Sequence, residues 1–108
     1  MRRVLFVCAR NRLRSPTAEV IFAGMNGIEV SSAGTAPDAQ CRIDSELIEW
    51  SDDVFVMEQK QKKLLVSRFA SSLSAKRVVC LGIPDRYEFM QDELIALLRA
   101  KVLPLIVR

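Results

Sequence analysis

Val4 to Val7 is an unbroken run of β-prone apolar residues that ends at Cys8, the pattern of a strand covered on both faces. Such strands belong to parallel sheets, which need crossover segments packed on their faces. The chain supplies them in alternation. Ser15-Pro16 opens a helix, with the serine as cap and the proline at the first helical position. Ala18, Ile21, Phe22 and Met25 recur at helical spacing, and Asn26-Gly27 closes that segment. Ile28 to Ser32 reads as a second strand, Val54 to Met57 as a third and Val78 to Ile83 as a fourth. Between them, Asp44 caps a short helix carrying Leu47, Ile48 and Trp50. Gln59 to Ala70 is helical, with Leu65 and Phe69 inward and the lysines on a solvated face. A last helix runs from Gln91 to Val102 with Leu94, Ile95, Leu97 and Leu98 on one side. The apolar tail Leu103 to Arg108 fits either a further strand or a packed extension.

This alternation implies right-handed β-α-β crossovers, hence an α/β fold with an open parallel sheet and helices on both faces. At 108 residues, half of them hydrophobic, the chain holds one core, and residues 1–108 read as a single domain. Open parallel sheets bind ligands beyond the carboxyl ends of their strands. The loop after Cys8 and the loop Pro84 to Met90 therefore share one edge.

The chain has no histidine, which excludes Ser-His-Asp and Cys-His catalysis and histidine-containing metal sites within it. Cys8, Cys41 and Cys80 are widely spaced and form no CxxC pair, so neither a disulfide framework nor a structural zinc is expected. A reducing compartment follows, and no segment has the roughly 20 apolar residues of a membrane helix. The expectation is a cytoplasmic protein without metal or cofactor. A net charge of +3 is a mild bias toward anionic partners, short of a nucleic-acid-binding face.

Cys8-Ala9-Arg10-Asn11-Arg12-Leu13-Arg14-Ser15 places a thiol and a guanidinium at the two ends of a loop between a buried strand and a helix start. A phosphate there meets loop N–H groups and the positive end of the helix dipole. Arg14 can hold two of its oxygens at once, which lysine cannot do. The same field favours the thiolate form of Cys8, a nucleophile. Expelling a bare alkoxide or phenoxide is slow, so a general acid is needed. Asp85, just past the fourth strand, is the candidate.

The strand and loop VLFVCARNRLRSPTAE with its C-x5-R-S pattern, the following SSAGT, the strand end VFVME and the late IPDRY resemble the low-molecular-weight protein tyrosine phosphatase family. The resemblance implies a three-layer, flavodoxin-like fold whose four-stranded sheet runs in the order 2-1-3-4. It implies a phosphomonoester hydrolase, protein tyrosine phosphatase-like, with Cys8 forming a phosphocysteine. Arg14 would hold the phosphoryl group within a loop made by Ala9, Arg10, Asn11, Arg12 and Leu13. Asn11 would brace the loop, Ser15 would hydrogen-bond the thiolate, and Tyr87 would line the mouth of the pocket. Asp85 would protonate the leaving group and later activate water. The implied substrates are a phosphorylated protein or a small aryl phosphate.

Several positions depart from the family pattern. Leu13 stands where many relatives carry a second cysteine, Arg10 where glycine is usual, and Arg86 where a proline follows the acid. Three other readings compete. An arsenate reductase on the same fold needs two further mobile thiols close to the first. A cysteine phosphocarrier needs neither the loop arginine nor the acid. A phosphoprotein-binding regulatory module would keep the pocket without turnover.

Overall fold

A computed structural model describes residues 1–106. It contains β1 (Arg2–Cys8), α1 (Arg14–Phe22), β2 (Ile28–Gly34), α2 (Ser45–Trp50), β3 (Asp53–Val56), α3 (Gln59–Leu73), β4 (Arg77–Cys80) and α4 (Asp92–Ile106). All neighbouring strands are parallel, in the order β2-β1-β3-β4. The implied strand order therefore holds.

Side chains alternate across a strand, so β1 feeds two cores. Val4, Phe6 and Cys8 join Phe22 of α1 and Leu94, Leu98 and Val102 of α4 on one face. Leu5 and Val7 join Ile48 of α2 and Leu65 and Leu73 of α3 on the other. Because β1 is central and buried on both sides, the loop that follows it emerges at the middle of the sheet's carboxyl edge.

Several boundaries differ from the sequence reading; α1 already ends at Phe22, short of Met25 and Asn26-Gly27, and α3 extends to Leu73. Helix α1 begins at Arg14 and has no side-chain cap, because the Ser15 hydroxyl is turned to Cys8 instead of to its own helix. Strand β4 ends at Cys80, since Gly82 takes φ +68° and leaves regular strand geometry. Leu81 and Ile83 nonetheless still donate to the carbonyls of Val56 and Met57, which carries the chain out beside the end of β3. Helix α4 continues past Val102 to Ile106, through Pro104. Proline removes one hydrogen bond there, but only in the last turn, and Arg77 Nη2 donates to the Leu105 carbonyl at 2.8 Å. The tail is therefore helical as far as Ile106, and positions 107–108 lie outside the described residues. Cys80 and Trp50 are half-buried beside the second core, not enclosed in it.

At the opposite edge of the sheet from the Cys8 loop, a buried carboxylate ties three strands together. Asp53 accepts from Arg2 Nε at 2.8 Å and Nη2 at 2.7 Å, and from Arg77 Nε at 3.0 Å. Burial alone would raise the Asp53 carboxyl, but the hydrogen bonds and charges of the two guanidinium groups outweigh it and hold it below its ordinary 3.8. A lowered folded value means a contribution present in full above the ordinary value and lost as pH falls through the folded one. Asp53→Ala should cost about 1–2 kcal/mol in neutral-pH urea unfolding, because it removes the buried acceptor that joins two guanidinium groups which water can still reach. The difference from the unsubstituted chain should shrink below about pH 4.

Candidate active site

The loop between β1 and α1 is shaped from outside. Thr35, Ala36 and Gln40 donate their N–H groups to the carbonyls of Cys8, Ala9 and Arg10, at 3.0, 2.8 and 3.0 Å. Drawing those carbonyls toward the 35–40 segment leaves the loop N–H groups to face its interior. Gly34 makes the approach possible, since a Cβ there would lie 2.5 Å from the Ala9 carbonyl oxygen and 2.9 Å from the Asn11 nitrogen. Asn11 takes φ +56°, a left-handed conformation that asparagine tolerates better than most residues. This turns its side chain inward between the exposed Arg10 and Arg12.

Cys8 Sγ sits 2.9 Å from Ser15 Oγ and receives the Asn11 backbone N–H at 3.2 Å. A chain of side chains behind it sets the direction of these bonds. The Glu19 carboxylate can only accept, so Ser32 donates its hydroxyl proton to it. Ser32 Oγ then accepts from Asn11 Nδ2 at 2.9 Å, and the same amide donates to Ser15 Oγ, also at 2.9 Å. Ser15 is left with one proton to place. The Cys8 sulfur at 2.9 Å is a closer acceptor than the Ala33 carbonyl at 3.3 Å.

Arg14 is only 2% exposed although it borders open space, because its guanidinium is anchored from behind. Nη1 donates to Glu58 Oε1 at 2.7 Å and to the Ile83 carbonyl at 2.8 Å. Its Nε–Nη2 edge makes no hydrogen bond among the described residues. Nε lies 3.7 Å from Asp85 Oδ1, and Asp85 is 59% exposed. Glu58 is itself held at the start of α3, where Gln61 Oε1 accepts from the backbone N–H groups of Met57 and Glu58.

Above Cys8 lies a cleft of about 570 Å³ bordered by Cys8, Ala9, Arg10, Arg12, Leu13, Arg14, Lys60 and Asp85. The structure thus gathers at one opening the two ends of the C-x5-R loop and the aspartate from a distant segment. Asn11 and Ser15 are buried beneath it. Tyr87 requires correction. It does not border the cleft but packs, 8% exposed, in the core with Leu81, Ile83 and Leu94. Gly82 takes φ +68° and the chain bends at Asp85, so that Leu81, Ile83 and Tyr87 are buried while Asp85 between them is exposed.

Four contributors escape a reading of local pattern: Glu58, Lys60, Glu19 and Ser32. Lys60 belongs to a lysine-rich helix face that reads as solvated, and only the position of α3 beside the β1 loop brings it to the cleft. For Glu58 the available signal was its place directly after an apolar strand, on the carboxyl edge of the sheet.

The thiols are not arranged as a relay. Cys41 is exposed beyond β2, at one edge of the sheet, and Cys80 lies on β4 at the other. Three strand spacings separate those edges, roughly 14 Å. Among the described residues no three His, Cys, Asp or Glu side chains are placed to hold a metal ion. No helix among them is long and apolar enough to cross a membrane.

Residues 3–54 match the model of the low molecular weight phosphotyrosine protein phosphatase family. The matched stretch holds the whole Cys8–Ser15 loop and ends before Asp85. A search of the curated proteins finds no match. Among solved structures, a low molecular weight protein tyrosine phosphatase from Streptococcus pyogenes superposes with TM-score 0.79 at 18% identity, covering 100% of this chain and 95% of that one. An arginine phosphatase, YwlE, from Geobacillus stearothermophilus gives TM-score 0.70 at 23% identity over 90% and 88% of the two chains. A YwlE mutant whose active-site serine is phosphorylated gives TM-score 0.70 at 26% identity, over 98% of each.

Proposed function

We propose that this chain, a cysteine-dependent phosphatase related to the low molecular weight phosphotyrosine protein phosphatases, hydrolyses phosphomonoesters through a phosphocysteine on Cys8. The observation that carries the reading is the setting of the sulfur. Cys8 Sγ is held by Ser15 at 2.9 Å and Asn11 at 3.2 Å within a loop whose carbonyls are drawn outward.

In the first step the Cys8 thiolate attacks phosphorus, and the bond from phosphorus to the leaving oxygen breaks. The proton of the Asp85 carboxyl goes to that oxygen. Arg14, braced by Glu58 and Ile83, presents its Nε–Nη2 edge to two phosphoryl oxygens, and the loop N–H groups meet the charge. In the second step the Asp85 carboxylate takes a proton from water as the water oxygen attacks phosphorus. The sulfur–phosphorus bond breaks, and the Ser15 hydroxyl stabilises the departing thiolate. The substrate is a phosphorylated protein or a small aryl phosphate. Thiolate chemistry and free cysteines suit a reducing compartment, and we place the protein in the cytoplasm on that ground.

The test is vanadate-sensitive hydrolysis of aryl phosphates with leaving groups of differing acidity. Asp85→Asn should lower kcat by about 10²-fold or more on a phenyl ester. The loss should be much smaller on a nitrophenyl ester, whose leaving oxygen departs without a proton. Equal losses on both esters would remove Asp85 from the acid role. Tight phosphopeptide binding without turnover would favour the regulatory module instead.

A further inference from the structure

The cleft above Cys8 carries more positive charge than one phosphate uses. Its lining sets Arg10, Arg12, Arg14 and Lys60 against the single carboxylate of Asp85. Arg14 is committed to the scissile phosphate and to Glu58 at 2.7 Å. Asp85 lies beside Arg14, with Oδ1 3.7 Å from Nε. Three cations remain at the mouth, on two sides of it. Arg10 and Arg12 project from the loop after β1, since the left-handed turn at Asn11 sends the asparagine inward and leaves its neighbours exposed. Lys60 faces them from the first turn of α3.

Among the described residues none of the three has a firm partner. Arg10 lies 3.9 Å from Asp38, with both side chains more than half exposed, and Lys60 lies 4.0 Å from Glu58. Arg12 reaches only the Asp38 backbone carbonyl, at 3.4 Å. Contacts of this kind in water are worth little and yield readily to a ligand. The lining also contains no aromatic residue, and the Tyr87 ring that would have walled the mouth is in the core. Stacking on an aryl group is therefore not what this opening selects.

We propose that Arg10, Arg12 and Lys60 form a second anion subsite at the cleft mouth, so that the preferred substrate carries further negative charge beside the scissile phosphate. The inference rests on the phosphatase reading and names its substrate class. An acidic residue flanking a phosphorylated side chain would supply that charge, and so would a second phosphate.

Binding separates this inference from catalysis. Cys8→Ser protein is titrated calorimetrically with three peptides of one phosphorylated sequence, flanked by alanines, by aspartates or by a second phosphorylated residue. The expected result is binding about tenfold tighter for the acidic peptides at low salt, with the ratio falling as ionic strength rises. A larger gain for the second phosphate than for aspartate identifies phosphate as the favoured source, and the reverse identifies carboxylate. The combined substitution Arg10→Gln, Arg12→Gln and Lys60→Gln should bring the ratio close to one. Equal affinities before that substitution overturn the second subsite and leave the phosphatase reading intact. A salt-independent ratio overturns it as well. No binding of any phosphopeptide overturns the phosphatase reading beneath it.

Discussion

Cys8→Ser is expected to reduce aryl phosphate turnover by about 10⁴-fold or more, while phosphate binding survives. The serine oxygen is a far weaker nucleophile than a thiolate, because an alcohol keeps its proton near neutral pH. Cys8 Sγ receives the Asn11 N–H at 3.2 Å and lies 2.9 Å from the Ser15 hydroxyl, which itself accepts from the Asn11 amide held by Ser32 and Glu19. Hydrogen bonds of this kind stabilise a thiolate nucleophile far more than they help an alcohol. The binding elements are untouched, because the loop N–H groups are oriented by the 35–40 segment and Arg14 by Glu58. Turnover at the unsubstituted rate in Cys8→Ser would discard thiolate attack altogether. Loss of both turnover and phosphate binding would assign the residue to loop structure instead of to chemistry.

The second large effect is expected at Arg14, where lysine should be nearly as damaging as alanine. Arg14→Lys should lower kcat/KM by about 10³-fold. Nη1 already serves Glu58 at 2.7 Å and the Ile83 carbonyl at 2.8 Å, so the guanidinium uses one nitrogen for anchoring and keeps its other edge for substrate. An ammonium has no second edge. It would either stay with Glu58 or turn to the phosphate, and in the second case leave Oε1 of the half-buried Glu58 carboxylate with only the longer Gln61 amide bond, at 3.3 Å. Glu58→Gln keeps the acceptor but weakens the anchor, and should cost about tenfold. Near-normal kcat/KM in Arg14→Lys would show that charge alone is required and that the anchored fork is not.

Much of the scaffold was readable from short stretches of chain. Val4 to Val7 announced a strand covered on both faces, and it is the buried centre of the sheet. Asp44 was readable as a cap, and it accepts the Leu47 N–H at 2.8 Å. The cap reading of Ser15 fails for a reason, while its implied contact with the Cys8 sulfur is present at 2.9 Å. Serine before proline is the local signature of a cap, but the nearby sulfur and the Asn11 amide are better partners, and they become neighbours only when the loop closes. Tyr87 shows the same limit from the other side. Its place beside Asp85 suggested the cleft, whereas the path of the chain after Gly82 carries the ring into the core.

Local pattern was enough to establish the strand–loop–helix unit, the loop running from Cys8 to Arg14 and the edge of the sheet on which it opens. Periodicity and cap chemistry act over a few residues, and a chain of this length carries them in full. What surrounds the loop was settled by folding alone. Glu58 behind Arg14, Lys60 across the mouth, Glu19 at the end of the chain of hydroxyls and the 35–40 backbone along the loop all come from segments that meet only in the assembled sheet. Hydrogen bonds and ion pairs form between whatever the crossovers bring within about 3 Å, and no spacing along the sequence encodes that distance.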